Sequence, residues 1–104
     1  MDIEVKRTGV DGLYVVASGR MDLDNAVEYG TVVKDTIEDS DEKIMNLTLD
    51  FNGITFISSF GLKVVLELYK LMQEQNGKMK LTNVSEVIMD SFRMVGFDKF
   101  LEVE

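Results

Sequence analysis

Ser58 and Ser59 stand where a short apolar piece, Ile54 to Ile57, passes into an amphipathic stretch that reads as a helix. A serine at a helix start has two uses. Its oxygen can accept a hydrogen bond from an orphan backbone N–H, a cap worth about 1 kcal/mol. It can also carry a phosphate, because the free N–H groups and the helix dipole favour an anion there. A phosphate adds about -1.5 to -2 charge at pH 7. Such a charge can block a partner surface by repulsion or desolvation without breaking the fold. The pair is therefore a candidate for a local switch, a simple cap, or both.

The other side chains narrow the chemistry. The chain has no His and no Cys. That removes the commonest general base, the commonest zinc ligands and any disulfide. A metal site would have to be all oxygen, and no EF-hand loop pattern is present. No metal and no cofactor is expected. The carboxylates are abundant, yet none sit in a recognisable paired constellation. Asp50, at the end of a predicted strand, is read as bonding its own loop rather than as a general base. No GxxxxGK[ST] phosphate loop occurs. The chain is expected to bind rather than to catalyse.

With 19 acidic and 11 basic residues the net charge is -8. Such a chain repels phosphate backbones and anionic lipid, so neither nucleic acid nor a membrane is expected as a partner. The same acidity keeps a small domain in solution. No apolar run approaches the roughly 18 residues of a spanning helix. The start, Met1 to Lys6, alternates apolar with charged, unlike a secretion signal. A cytoplasmic location is expected.

The elements that must position the serines follow from periodicity. Ile3 and Val5 alternate with Glu4 and Lys6, which predicts a half-buried strand over residues 3–7. Asp11-Gly12 marks a turn, Leu13 to Ala17 reads as a second strand, and Gly19 is expected to end it. Asp22 or Asp24 caps a helix running to about Asp39, with Ala26, Tyr29, Val33 and Ile37 on one face. Gly30 within it suggests a close approach. In Ile44 to Phe51, residues Met45, Leu47, Leu49 and Phe51 share one face; Asn46, Thr48 and Asp50 share the other. Asn52-Gly53 is read as a turn before Ile54.

The clearest helix spans about Ser59 to Gln75. Leu62, Val65, Leu66, Tyr69 and Met72 form its expected buried stripe, widened by Val64, Leu68 and Leu71. Lys63, Glu67, Lys70 and Glu74 line the opposite face. Asn76-Gly77 stops it. Lys78 to Thr82 is a strand with Met79 and Leu81 inward, and Asn83 after it reads as a turn residue. Ser85 caps a short helix expected to bury Ile88, Phe92 and Val95 and to stop at Gly96. Residues 97–103 close the chain.

The order is β-β-α-β-α-β-α. Strands joined by helices should be parallel with right-handed crossovers. The expected fold is α/β, of an α+β-like kind: a small mixed sheet of four to five strands with helices on one face. No proline, repeat, low-complexity tract or linker divides it, so residues 1–104 read as one domain.

Four segments, taken in order, resemble a known family. Gly19-Arg20-Met21-Asp22 is similar to a Gly-x-Leu-Asp motif that opens a first helix. Leu49-Asp50-Phe51-Asn52-Gly53-Ile54-Thr55-Phe56-Ile57-Ser58-Ser59-Phe60-Gly61-Leu62 resembles a strand ending in Leu-Asp, a short loop, then Phe-Ile-Asp-Ser-Ser-Gly-Leu. Gln75 to Ser85 looks like Gly-Gly-Lys-Leu-x-Leu-x-Asn-Val-Ser. Val95 to Leu101 looks like Thr-Gly-Leu-Asp-Lys-Leu-Phe. Together they resemble the STAS domain, in the family of anti-sigma-factor antagonists.

The resemblance implies partner switching in bacterial transcription control. Such a protein binds an anti-sigma factor that is also a serine kinase of the histidine-kinase-like ATPase fold. The kinase inactivates its antagonist by phosphorylating a serine at the start of the central helix, and a metal-dependent serine phosphatase reverses this. In the matching register the acceptor is Ser59, with Ser58 as the fallback or the cap. The implied partner surface comprises Asp22, Asn25, Ser58, Ser59, Phe60, Gly61 and Lys63. Asp22 also serves as a cap, and Gly61 either lets the helix start approach the sheet or keeps the loop accessible. A monomer is implied for the free protein.

Two positions depart from the family pattern. Ser58 replaces the Asp before the acceptor, and Phe60 replaces the second Ser. An aromatic beside the acceptor either bars a kinase or anchors a partner. These changes leave a second reading, an adaptor subunit that is never phosphorylated. A third is a small-ligand or nucleotide sensor, with a shallow polar pocket between the loops of Asp22 and Ser59.

Overall fold

The computed structural model describes residues 1–104. The elements in order are β1 (Asp2–Thr8), β2 (Gly12–Met21), α1 (Leu23–Asp39), β3 (Asn46–Ile57), α2 (Ser59–Glu74), β4 (Lys78–Thr82), α3 (Glu86–Met94), a 3-10 turn (Phe97–Lys99) and β5 (Glu102–Val103). They form a five-stranded sheet in the order β1-β2-β3-β4-β5. Only β1 and β2 are antiparallel; the remaining pairs are parallel. Parallel neighbours need a crossover, and each crossover here carries one helix. The expected mixed α/β sheet is what forms. The closing segment supplies a fifth strand only two residues long.

Alternation divides the sheet into two faces. Leu13, Val15 and Ala17 of β2, Leu47 and Leu49 of β3, and Met79 and Leu81 of β4 are buried beneath the helices. Their neighbours Tyr14, Thr48 and Lys80 lie abreast on the open face. The helices complete the core. Helix α1 buries Ala26, Tyr29, Val33 and Ile37, the predicted stripe. Gly30 lets α2 approach, since a Cβ there would sit 3.1 Å from Val64 Cγ1. Tyr29 meets Phe51 edge-on at 6.4 Å, and Phe92 of α3 lies 6.3 Å beyond Phe51.

Two expectations about the strands need correction. Gly19 does not end β2, and Asn52-Gly53 is not a turn; β2 continues to Met21 and β3 to Ile57. Both sites are irregularities within the ladder. Val16 to Ser18 on β2 spans Asp50 to Gly53 on β3, so one extra residue of β3 is absorbed as a bulge. Gly53 is needed because a Cβ there would lie 2.6 Å from the Ser18 Cβ. A second shift falls between Gly19 and Arg20, where Gly19 adopts φ +122. The bulges also rephase burial, so that Ile54 and Ile57 turn inward after Phe51.

The stripe of α2 is rotated from the expected one. Gly61, Val65, Leu68 and Met72 are its buried residues, while Leu62, Leu66 and Tyr69 are only partly covered. Its helix also stops one residue early, with Gln75 as the C-cap. Val95 is 49% exposed rather than buried, because it follows the last turn of α3 and no longer obeys helical spacing.

Candidate functional site

Parallel pairing brings Met21, at the end of β2, abreast of Ile57, at the end of β3. One residue later each strand meets the cap of a helix: Asp22 for α1 and Ser58 for α2. The two helix starts are therefore neighbours. Asp22 accepts the backbone N–H of Asn25 at 3.2 Å, and the Asn25 amide donates back to the Arg20 carbonyl at 2.8 Å. The first turn of α1 is thus fastened to the strand that feeds it.

Ser58 and Ser59 take different roles. The Ser58 hydroxyl donates to the Met21 carbonyl at 2.9 Å and accepts the Gly61 N–H at 3.3 Å. Its own backbone N–H also donates to Met21. Ser58 is half-buried and committed to the cap. Ser59 is the first residue of α2, exposed and outside the cap. The alternatives left open by the sequence separate here: Ser58 is the structural serine and Ser59 the accessible one.

The seven candidate residues all fall on these two helix starts, but not all face solvent. Phe60 is 48% exposed, and Leu23 and Val27 of α1 are comparably open. Lys63 is exposed one turn into α2. Val27, Phe60 and Lys63 border a groove of about 630 Å³ between α1 and α2, with Gly30 and Leu68 in its wall. Gly61 is buried. A Cβ on it would lie 2.5 Å from Met21 Cγ and 2.6 Å from Ile57 Cγ1, so its lack of a side chain lets the helix start approach the sheet.

Asp50 belongs to the scaffold. It lies within β3, not at a strand end, and is 8% exposed. Its carboxylate accepts Tyr14 OH at 2.7 Å, the Asn52 N–H at 2.9 Å and the Asn83 amide at 3.1 Å. Burial pushes its pKa up, but these three donors outweigh that and hold it below the usual carboxylate value. Asn83, left-handed at φ 58, thereby ties the end of β4 to β3. The three bonds make Asp50 a tie between β2, β3 and the end of β4.

One pair escaped the sequence reading. Arg20 and Phe56 are register partners on the open face, and the Arg20 guanidinium lies 4.2 Å over the Phe56 ring. The only signal was Phe56 itself, an aromatic between inward-facing Ile54 and Ile57. No group of three or more acidic side chains is placed to hold a metal ion. No helix is long and apolar enough to cross a membrane.

Comparison with known proteins agrees with this geometry. A model of the STAS domain family matches residues 3–104. The anti-sigma-B factor antagonist of Bacillus subtilis (strain 168) is 23% identical over 103 residues, covering 99% of this chain and 90% of that protein. The fold is similar to that of the anti-sigma factor antagonist SpoIIAA in its unphosphorylated form, with a TM-score of 0.83 at 14% identity over 99% of this chain and 88% of that one. The Bacillus cell fate determinant SpoIIAA in the phosphorylated form gives a TM-score of 0.76 at 14% identity, over 99% and 91% of the two chains.

Proposed function

The chain belongs to the STAS domain family, and from that premise we propose that it is an anti-sigma-factor antagonist switched by phosphorylation of Ser59. The observation that carries the proposal is the division between the two serines. Ser58 holds the helix start, so its loss would disturb the fold. Ser59 is exposed beside it and can change charge while the cap stays intact. The partner is an anti-sigma factor that is a serine kinase of the ATPase fold, and a serine phosphatase restores the binding form. The chain itself acts by binding, as a cytoplasmic monomer, and catalyses nothing.

The partner docks where α1 and α2 begin. Leu23, Val27 and Phe60 supply apolar contact there, and Asp22, Asn25 and Lys63 supply polar contact. A phosphate on Ser59 would put about -1.5 to -2 charge at the centre of that surface. An apolar interface core tolerates an unpaired charge poorly. The relatives support the reading: one is an antagonist of an anti-sigma factor, and SpoIIAA occurs in phosphorylated and unphosphorylated forms.

Phe60 favours a second reading. An exposed ring next to the acceptor hydroxyl obstructs a kinase while anchoring a partner, which suits an adaptor that stays bound. Partner capture from native lysate separates the two. The switch requires an ATPase-fold kinase retained in ADP, then released in ATP with one phosphate gained on Ser59 by intact mass. Retention of another protein in both nucleotides, with no mass change, leaves the adaptor.

A further inference from the structure

We propose that Arg20 is a specificity contact of this partner surface and that it takes a carboxylate from the partner protein. The inference rests on the reading above, that a protein docks at the starts of α1 and α2, and adds the chemistry that the partner must present.

Several features aim this side chain. The ladder shifts register between Gly19 and Arg20, and Gly19 takes φ +122 to allow it. The extra residue is Thr55 of β3, and this bulge brings Phe56 opposite Arg20. The Arg20 carbonyl is then held by the Asn25 amide at 2.8 Å. Finally the guanidinium rests on Phe56, its Cζ 4.2 Å from the ring centroid. Stacking uses the flat face of the group and leaves the N–H groups at its edge free to bond.

No acid of the chain meets those N–H groups. The ion pairs of the structure use Lys6, Lys80 and Arg93, and Arg20 makes none, although 19 acidic residues are present. The nearest acid in sequence, Asp22, is engaged with Asn25 as the cap of α1. Arg20 is thus a positioned, uncompensated cation three residues before exposed Leu23 and on the strand ends that lead to Phe60. A fixed Arg beside apolar anchors is the usual composition of an interface hot spot. Planar bidentate pairing selects a carboxylate. A polyphosphate would need more positive charge than one guanidinium, and no phosphate-binding loop adjoins it.

The test uses the full chain and the anti-sigma factor it binds, with affinity measured calorimetrically at 50 and 300 mM NaCl. Arg20→Gln should weaken binding about tenfold at low salt and flatten the salt dependence. Arg20→Glu should weaken it further, and Arg20→Lys should recover only part of the loss. Phe60→Ala, in the same series, reports on the surface itself. If Phe60→Ala weakens binding while Arg20→Gln stays within twofold of the native chain, the carboxylate contact is wrong and the docking surface stands. If neither matters, or no anti-sigma factor binds the native chain, the surface and the Arg20 assignment fall together. Arg20 is exposed, and matching thermal melts of the variants exclude misfolding as the cause.

Discussion

The Ser58 hydroxyl and the Met21 carbonyl lie 2.9 Å apart, so the cap of α2 is bonded across the sheet to the end of β2. This joins the two helix starts through a side chain and not only through strand pairing. Stability should therefore tell the serines apart. Ser58→Ala removes a cap and leaves the carbonyl of buried Met21 with one donor fewer, and should cost about 1–2 kcal/mol in urea unfolding. Ser59→Ala should stay within about 0.5 kcal/mol of the native chain, as exposed substitutions do. Equal costs at the two positions would refute the assignment of roles.

Why the sequence left these serines unresolved is now clear. Either residue can cap a helix, and the choice depends on Met21, 37 positions away. The same kind of distance hid the strand ends. Gly19 and Asn52-Gly53 are ordinary turn signals, yet here Gly19 supplies a positive φ within β2 and Gly53 makes room for Ser18 of β2, which only pairing reveals. Helix α1 was legible because its four inward residues recur cleanly against polar ones. In α2 apolar residues occupy more than a third of the circumference, so spacing defined a broad stripe without its centre. Arg20 over Phe56 was invisible for a further reason: register across the second bulge decides which residues face each other.

Acid should weaken the Asp50 network. Its folded pKa is lowered from an ordinary value of 3.8. Its stabilisation is therefore complete above the unfolded pKa and is lost as pH falls through the folded one. Asp50→Asn keeps the shape but loses the charge-assisted bonds from Tyr14, Asn52 and Asn83, a cost of about 1–2 kcal/mol at pH 7. Urea unfolding of both proteins from pH 7 down to pH 2.5 should show the two stabilities converging below about pH 4. A gap that stays constant down to pH 2.5 would mean that the ionisation of Asp50 is not its source.

Tyr29 offers the opposite case. Its ring is fully buried against Phe51, and its hydroxyl is a buried polar group with no hydrogen-bond partner. Burial drives its pKa far up, so it stays protonated. Removing an unsatisfied hydroxyl relieves a desolvation cost of about 1–3 kcal/mol. Tyr29→Phe should therefore equal or exceed the native chain in stability, and thermal unfolding reads this directly. A loss above about 1 kcal/mol would indicate a partner for the hydroxyl, such as an internal water.

Gly61 links fold to function most directly. It sits in the first turn of α2, where a Cβ would crowd Met21 Cγ and Ile57 Cγ1 at 2.5 and 2.6 Å. Both neighbours are buried, so they cannot swing into solvent. Gly61→Ala should push the helix start off the sheet and stretch the Ser58 to Met21 bond. Overpacking of this kind costs about 1–3 kcal/mol. Ala would also gain up to about 1 kcal/mol over Gly in helix propensity, which narrows the net loss. Binding should suffer more than stability does, because Ser59 and Phe60 ride on the displaced turn. The comparison is calorimetric affinity against melting temperature for the same variant. Reduced stability with native affinity would detach the partner surface from the start of α2.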